Sequence, residues 1–254
     1  MTTGHVATLR RFPVKGLSPE PLREVEIQPG RQLAGDRIYA IENGPSGFDP
    51  EHPTKIPKTR FLCLMRNARL ASLSTRFDHD ASRLEVEIDG KTQLSADLET
   101  EAGRREAEEW FSRFMGEELR GPLKVLPAPG RHTFSDTSAG VLSLINLASA
   151  EAVGGIVGAA VDPLRFRGNL DFSGFEAWRE LDWVDREIMI GEVRFRIVKR
   201  TVRCAATEVD PATALRDLKI PKALMQSLGH ADCGVYAQAL TGGTIAVGDE
   251  IRLV

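Results

Sequence analysis

The sequence contains little cysteine. Its 254 residues include only three, Cys63, Cys204 and Cys233, which lie far apart. An odd number of widely spaced cysteines excludes a disulfide framework and a CxxC metal site. Three thiols also cannot supply the usual four ligands of a plant-type iron–sulfur cluster. Free thiols fit a reducing compartment, so the composition predicts a cytoplasmic protein.

Long hydrophobic runs and a strong charge of either sign are also missing. No apolar stretch is long enough to span a bilayer, and the first residues lack the charged and apolar regions of a signal peptide. We therefore expect no membrane segment. The net charge of -3 argues against a general nucleic-acid binder, which is usually basic. No long heptad is present, so a monomer is the default expectation.

Several familiar catalytic motifs are absent. The chain has no Walker loop, no HExxH and no GxSxG. The glycines of 154–158 do not form GxGxxG and follow a predicted helix rather than a strand. The five histidines have no spacing that indicates a metal site. No flavin, haem or cluster motif is visible, so any redox chemistry would need electrons from elsewhere.

What the sequence does contain is a series of short strand-like runs separated by turn residues. Hairpins are predicted at Asp89-Gly90 and Gly191-Glu192. Residues 101–119 have the periodicity of an amphipathic helix, and Asn146 can cap a second helix. Many strands and few helices predict a mostly β (α+β) fold with a β-barrel core. The Pro-Gly-rich residues 127–130 suggest a linker between an N-terminal domain, 1–126, and a C-terminal domain, 127–254.

The stretch with the clearest chemical potential surrounds Cys204. A strand is predicted over 193–198 because apolar and charged residues alternate there, and Lys199, Arg200 and Arg203 follow. A thiol acts as a nucleophile or metal ligand only as thiolate, which nearby cations favour. From these residues alone, a buried and inert cysteine is the more common arrangement, because free cysteine packs as a small hydrophobe.

Four further segments combine polar groups with turn signals: 13–16, 35–37, 135–140 and 162–170. Loops on a rigid barrel are where binding groups usually lie. Arginine forks, hydroxyls and backbone N–H groups together can hold a phosphate or a similar anion. Taken singly, each segment is more often a turn with solvated charge. Together with a cysteine flanked by arginine, they suggest a pocket for an anionic cofactor whose metal is bound by one thiolate.

The order of these motifs resembles that of the MOSC family (molybdenum cofactor sulfurase C-terminal domain). The resemblance rests on Lys15-Gly16, Gly35-Asp36-Arg37, Arg165-Phe166-Arg167-Gly168-Asn169, Arg203-Cys204, Thr207-Glu208-Val209-Asp210-Pro211, Gly234-Val235-Tyr236 and the residues of 243–249. It covers nearly the whole chain, and its layout is similar to that of amidoxime-reducing members: an N-terminal MOSC-associated β-barrel-like domain followed by a MOSC-type β-barrel.

This resemblance implies a site for the molybdenum cofactor, a molybdopterin that carries molybdenum. In the family, a cysteine at the position of Cys204 is the metal ligand. Asp136 and Asp210 are candidates for orienting groups or relaying protons. Gly16 stands where some reductase relatives have serine. The resemblance implies that the pterin or its phosphate is contacted by Lys15, Arg37, Thr137, Ser138, Arg167 and Asn169.

The resemblance leaves two functions open. The first is a molybdenum-dependent oxidoreductase that reduces small N-hydroxylated compounds, with electrons from a separate reductase, ferredoxin-like or cytochrome b5-like protein. The second is a sulfur carrier without redox chemistry, in which Cys204 holds a persulfide supplied by a pyridoxal-phosphate-dependent desulfurase. Either function would use a reactive thiolate beside Arg203. Cys63 and Cys233 match no family role, and we interpret both as structural.

Overall fold

The computed structural model describes residues 3–137 and 140–254. The strands in this part are β1 (Gly4–Arg11), β2 (Glu20–Leu22), β3 (Glu24–Ile27), β4 (Tyr39–Asn43), β5 (Ser74–Asp78), β6 (Arg83–Ile88), β7 (Lys91–Asp97), β8 (Leu123–Pro127), β9 (Val141–Asn146), β10 (Leu170–Ser173), β11 (Glu187–Ile190), β12 (Val193–Val202), β13 (Asp232–Ala239), β14 (Gly243–Ala246) and β15 (Glu250–Leu253). The helices are α1 (Glu101–Met115), α2 (Leu147–Val157) and α3 (Ile220–Leu228).

Seven strands close into a barrel, which confirms the predicted fold class. Their order is β1-β10-β9-β13-β12-β11-β15, and β15 pairs with β1 again. Neighbours are antiparallel except β9 and β10, which are parallel. The connection between those two contains α2, as a parallel pair requires a crossover. The strand that closes the barrel, β1, comes from the first residues of the chain, and the domain division at 126/127 stays a prediction.

The barrel interior follows the alternation visible in the sequence. In β12, Val193, Phe195 and Ile197 are fully buried, whereas Arg194 and Arg196 between them are exposed. Period-2 alternation places every second side chain on the inner face. The same core contains Phe172, which stacks on Trp183 with ring centroids 5.5 Å apart. This packed interior gives the barrel a rigid wall, and the candidate site lies at its edge.

The N-terminal half has its own core. Strands β5, β6 and β7 form an antiparallel sheet, and β4 pairs with β8. Helix α1 packs against this unit through Ala107, Phe111 and Met115, which are fully buried. Its first turn is capped by the Thr100 side chain, which accepts a hydrogen bond from the Gly103 amide.

Most predicted elements are confirmed, with shifted ends. Strands β6 and β7 flank the Asp89-Gly90 turn, strands β11 and β12 flank Gly191-Glu192, and the Asn146 side chain caps α2. The helix predicted over 101–119 ends at Met115 because Gly116 has a φ of 53°, which glycine adopts easily. Strand β4 begins at Tyr39, two residues after Arg37, whose left-handed φ of 53° is not extended. No helix among the described residues is both long and apolar enough to cross a membrane.

Candidate functional site

A cavity of about 330 Å³ lies where the loops of the N-terminal half meet the end of β12 and the turn after it. Nine site residues were predicted, and eight of them fall in the described part of the chain; Ser138 lies outside it. Seven of these eight line the cavity: Lys15, Arg37, Asp136, Thr137, Arg167, Asn169 and Cys204. The structure therefore brings together residues that are up to 189 positions apart in the sequence.

Cys204 lies immediately after β12. It caps the short 3-10 helix Ala205–Glu208, and its carbonyl accepts hydrogen bonds from the Thr207 amide at 3.0 Å and the Thr207 hydroxyl at 2.9 Å. These bonds fix the backbone, so the half-buried thiol is held on the cavity wall. The Lys58 ammonium donates to its Sγ at 3.3 Å. Cys204 is therefore not the buried, inert cysteine that its neighbouring residues alone would favour.

The other two cysteines differ from Cys204. Cys233 is fully buried within a hydrophobic cluster, and burial raises the pKa of its thiol to about 12. Cys63 is also buried. It lines the cavity, but burial likewise raises the pKa of its thiol. A raised pKa keeps both groups as neutral thiols at neutral pH. This agrees with the interpretation of both as structural.

Asp136 is held between two lysines. Its Oδ1 accepts a hydrogen bond from Lys15 Nζ at 2.6 Å, and its Oδ2 accepts one from Lys58 Nζ at 3.0 Å. Burial alone would raise the pKa of this carboxyl, but the two ammonium groups outweigh burial and hold it well below its usual range. Asp136 is thus a carboxylate at neutral pH. Burial lowers the pKa of Lys15, which Asp136 opposes.

Two arginines share one aromatic ring at the cavity wall. The guanidinium carbon of Arg37 lies 4.8 Å from the centroid of Phe12, and that of Arg167 lies 4.1 Å from it. Both residues have a left-handed φ, 53° and 52°, which is uncommon outside glycine and requires support from the surrounding structure. Burial and the neighbouring Arg37 lower the pKa of Arg167. The guanidinium stays charged, so two like charges are held close together.

Asn169 and Asp36 provide the support behind these arginines. The Asp36 carboxylate is fully buried, forms an ion pair with Arg37 and accepts a hydrogen bond from the Asn169 amide at 3.2 Å. Asn169 also donates to the Arg10 carbonyl at 3.3 Å and accepts from the Ser143 amide at 3.2 Å. Its polar atoms are therefore engaged within the protein.

The cavity carries positive charge that the protein does not neutralise. Among the described residues, no carboxylate lies within ion-pair distance of Arg167, Lys199 or Arg203, all of which line the cavity. Arg203 is buried, and its hydrogen bonds to described residues go to the carbonyls of Cys233 and Phe166. Burial lowers its pKa. Burying unpaired cations is unfavourable, and an anion in the cavity would relieve that cost.

Asp210 is placed differently from the other predicted residues. It is not part of the cavity wall. Its carboxylate accepts a hydrogen bond from Arg165 at 2.6 Å and caps a turn by accepting from the amides of Ala212 and Thr213, both at 2.8 Å. These bonds hold the pKa of Asp210 below its usual value. Arg165 itself lines the cavity, so Asp210 supports the wall from behind.

Lys58 and Tyr236 are among the residues of the site that sequence reasoning missed. Lys58 begins the 3-10 helix Lys58–Arg60 after the long loop, and nothing in the local sequence distinguishes it from Lys55. Tyr236 lines the cavity, and Lys199 Nζ lies 5.2 Å from the centroid of its ring. Burial raises the pKa of its phenol. In the sequence, Tyr236 stands out only as part of the Gly234-Val235-Tyr236 motif, and the alternation of β13 carries no functional signal.

The sequence is similar to those of mitochondrial amidoxime-reducing components. The chain is 31% identical over 125 residues to mitochondrial amidoxime-reducing component 1 of Mus musculus, covering 44% of this chain and 36% of the relative. It is 29% identical over 133 residues to the Homo sapiens protein of that name, covering 48% of this chain and 38% of the relative. The matched segments thus span little more than a third of each relative.

A solved structure and two family models also match. The YUAD protein from Bacillus subtilis aligns over 98% of this chain and 94% of its own, with a TM-score of 0.45 and 12% identity. The model of the MOSC N-terminal beta barrel domain matches residues 3–118, and that of the MOSC domain matches residues 129–252. Between them, the two models account for nearly the whole chain, and the protein belongs to the MOSC family, with the MOSC domain preceded by its N-terminal beta barrel domain.

Proposed function

We propose that this protein binds the molybdenum cofactor and reduces N-hydroxylated compounds to the corresponding amines or amidines. The observation that carries the proposal is a single half-buried thiol, Cys204, on the wall of a cavity that also holds the unneutralised cations Arg167 and Arg203. The names of the amidoxime-reducing relatives support the same reaction class. This reaction is proposed from relatives that match about half of this chain. We also propose that the protein is located in the cytoplasm.

The residues present fit a phosphorylated organic ligand that carries one metal. Within residues 3–137 and 140–254, no three histidine, cysteine or acidic side chains group together as metal ligands. The cavity instead offers one half-buried thiol, Cys204, together with paired and unpaired cations, which suits an anion that brings most of its own metal ligands. Gly16 also lines the cavity; its φ of 87° and its close approach to the Leu62 carbonyl leave no room for a side chain.

Five of the predicted residues would hold the cofactor. Lys15, Arg37 and Arg167 would hold the phosphate and pterin by charge and hydrogen bonds, with Thr137 beside them. Cys204 would supply the thiolate ligand. When bound, the cofactor supplies a metal that exchanges two electrons and removes oxygen from a substrate. Arg167 gains most from such binding, because its charge lies close to that of Arg37 without a carboxylate of its own.

The reaction sets further demands on the protein. Reduction of R–NHOH to R–NH2 releases water and consumes two electrons and two protons. Because no flavin, haem or cluster motif is visible in the sequence, a separate electron-transfer protein is part of the proposal. Asp136, which stays a carboxylate, orients the Lys58 ammonium 3.3 Å from Cys204 Sγ. Lys58 thereby places N–H donors beside the thiol, where an oxygen-bearing substrate would approach.

The test is metal analysis of protein made in a host that builds the cofactor. We expect about one molybdenum per chain, by analogy with a single-thiolate site, and reduction of an amidoxime when a chemical or protein electron donor is added. Cys204→Ala should lose both metal and activity. Cys233→Ala, which removes a thiol from the core, is the matched control and should keep the metal. A persulfide on Cys204 in protein without molybdenum would instead favour the sulfur-carrier function.

A further inference from the structure

Two residues that line the cavity each have a buried side-chain polar atom without a hydrogen-bond partner among the described residues. In the described part of the chain, the side-chain atoms that are buried without a hydrogen-bond partner are Arg165 Nε, Thr201 Oγ1 and Trp183 Nε1. Trp183 belongs to the barrel core. Arg165 and Thr201 both line the cavity, and both are 4% exposed. Buried polar groups are almost always hydrogen-bonded, so this coincidence calls for an explanation.

The position of Thr201 explains why the strands do not satisfy it. It lies near the end of β12, between Arg200, which pairs with Val235, and Val202, which pairs with Asp232. The register shifts between these two pairs, as at a β-bulge, where the ladder is interrupted and a side chain is redirected. Thr201 is buried although it follows two exposed residues, Lys199 and Arg200. A polar side chain has thus been brought into the wall of the cavity.

Thr207 shows what a satisfied threonine looks like at the same cavity. It is 3% exposed and also lines the wall. Its hydroxyl donates to the Cys204 carbonyl at 2.9 Å. The two threonines have the same side chain, nearly the same burial and the same cavity, and they differ in whether the protein supplies a partner. Thr207 therefore serves the local backbone, and Thr201 does not.

Arg165 also has a buried donor, Nε, without a partner among the described residues. Its two terminal nitrogens donate to Asp217 at 2.7 Å each and to Asp210 at 2.6 Å. These bonds fix the guanidinium plane, because a bidentate carboxylate pair allows little rotation. The remaining donor, Nε, is left unpaired by that fixed orientation. Two residues that line the cavity thus carry one immobilised N–H donor and one hydroxyl, and neither has an acceptor among the described residues.

We propose that the Thr201 hydroxyl is a ligand-binding group that donates a hydrogen bond to an oxygen or ring nitrogen of the anionic organic ligand in this cavity. The inference rests on the proposed function for the identity of that ligand, a phosphorylated pterin. It adds a contact that the family resemblance does not assign. An unpaired buried hydroxyl is unfavourable in the ligand-free protein and becomes favourable once an acceptor binds. The unpaired hydroxyl therefore lowers the stability of the ligand-free protein and raises its affinity for the ligand.

The experiment compares Thr201→Val with Thr201→Ser, with Thr207→Val as the matched control. Valine has the shape of threonine without the hydroxyl. Each variant is made once in a host that supplies the cofactor and once in a host that lacks it. Two quantities are measured: the thermal unfolding midpoint of the cofactor-free protein, and the rate at which molybdenum is lost from the loaded protein during dialysis.

The expected result is a change of sign between the two states. Thr201→Val should unfold at the wild-type temperature or above it when cofactor-free, and should lose molybdenum about tenfold faster than wild type, as expected for one hydrogen bond. Thr201→Ser should retain the metal as wild type does. Thr207→Val should unfold at a lower temperature in the cofactor-free state, because it removes a bond that the protein makes to itself.

Two results would overturn the inference. One is a Thr201→Val protein that is destabilised without cofactor as much as Thr207→Val, which would reveal an internal partner or a structural water. The other is molybdenum loss at the wild-type rate. If wild-type protein itself carries no molybdenum, the proposed function fails, and protection by inorganic phosphate decides on Thr201. If phosphate raises the unfolding midpoint of wild type and Thr201→Val equally, the contact is refuted. If phosphate raises the midpoint of wild type and Thr201→Ser but not that of Thr201→Val, the contact is supported.

Discussion

Asp136→Asn should destabilise the cofactor-free protein by leaving the buried Lys15 ammonium without its counter-charge. Lys15 Nζ lies 2.6 Å from Asp136 Oδ1, and the side chains are 8% and 42% exposed. After the change, the carbonyl of Phe134, at 2.8 Å, remains as an acceptor. Asparagine keeps the shape of the side chain and removes only the charge.

The magnitude lies between two limits. Breaking a fully buried ion pair costs about 3–5 kcal/mol, and an exposed pair contributes about 0–1 kcal/mol. Solvent reaches Asp136 and screens the pair, while Lys15 is almost inaccessible, so we expect a loss of about 2 kcal/mol in the free energy of unfolding. The second pair, Lys58–Asp136 at 3.0 Å, is 31% and 42% exposed and adds about 0.5 kcal/mol or less.

A double-mutant cycle with Lys15→Met isolates the interaction. In the Lys15→Met background, Asp136→Asn no longer strands a buried charge, so its effect should shrink by at least about 1 kcal/mol. Urea denaturation at pH 7 measures the four proteins. Asp182→Asn, which removes a largely exposed partner of Arg179, is the control and should change stability by less than about 0.5 kcal/mol. Additive effects of the two substitutions would refute the reasoning.

The same interaction predicts a pH dependence with a defined sign. The pKa of Asp136 is lower in the folded protein than its usual value, so the folded state binds this proton less readily than the unfolded state. Its contribution is fully present above a pH of about 4, the unfolded pKa, and is lost as pH falls through the folded pKa. The difference between wild type and Asp136→Asn should therefore narrow below about pH 4.

Two further substitutions test the support of the site. Gly16→Ala should cost about 1–3 kcal/mol in urea denaturation, because Gly16 has a φ of 87° and an added Cβ would lie 2.9 Å from the Leu62 carbonyl; Gly155→Ala, in α2 with nothing within 4 Å of that Cβ, should be neutral or stabilising, and equal costs would contradict this. Burial raises the pKa of Glu180, so wild-type stability should lose this group's contribution as pH rises from about 4 through the folded pKa. Glu180→Gln should flatten that slope between pH 4 and 7, and an unchanged slope would show that other groups cause it.

The mostly β class could be predicted because it rests on local patterns. The alternation in β12, the Asp89-Gly90 turn and the Asn146 cap each depend on neighbouring residues only. Strand and helix periodicities are read from such windows. The ends of elements were less certain, as at Arg37, where a left-handed φ delays the start of β4 until Tyr39. Arg37 lies over the ring of Phe12, and no local window contains both residues.

The candidate site shows the same division. Its chemical character, a thiol with arginines and lysines for an anion, followed from the residues around Cys204 and from the family resemblance. Asp210 had the same local signal as Asp136, an acidic residue in a turn. Only the folded chain separated them, by placing Asp136 between Lys15 and Lys58 and Asp210 behind Arg165.

The amino-acid sequence by itself determined which segments form strands and helices and which residue types could bind an anion, because these depend on side-chain periodicity and intrinsic chemistry. The tertiary structure alone decided that β1 closes the barrel against β10 and β15 and that Lys58 reaches Cys204 across 146 positions of sequence. It also decided that the Thr201 hydroxyl has no hydrogen-bond partner among the residues that the structure describes. Burial and contacts between distant residues arise only when the whole core packs, and they set the charge balance of the cavity.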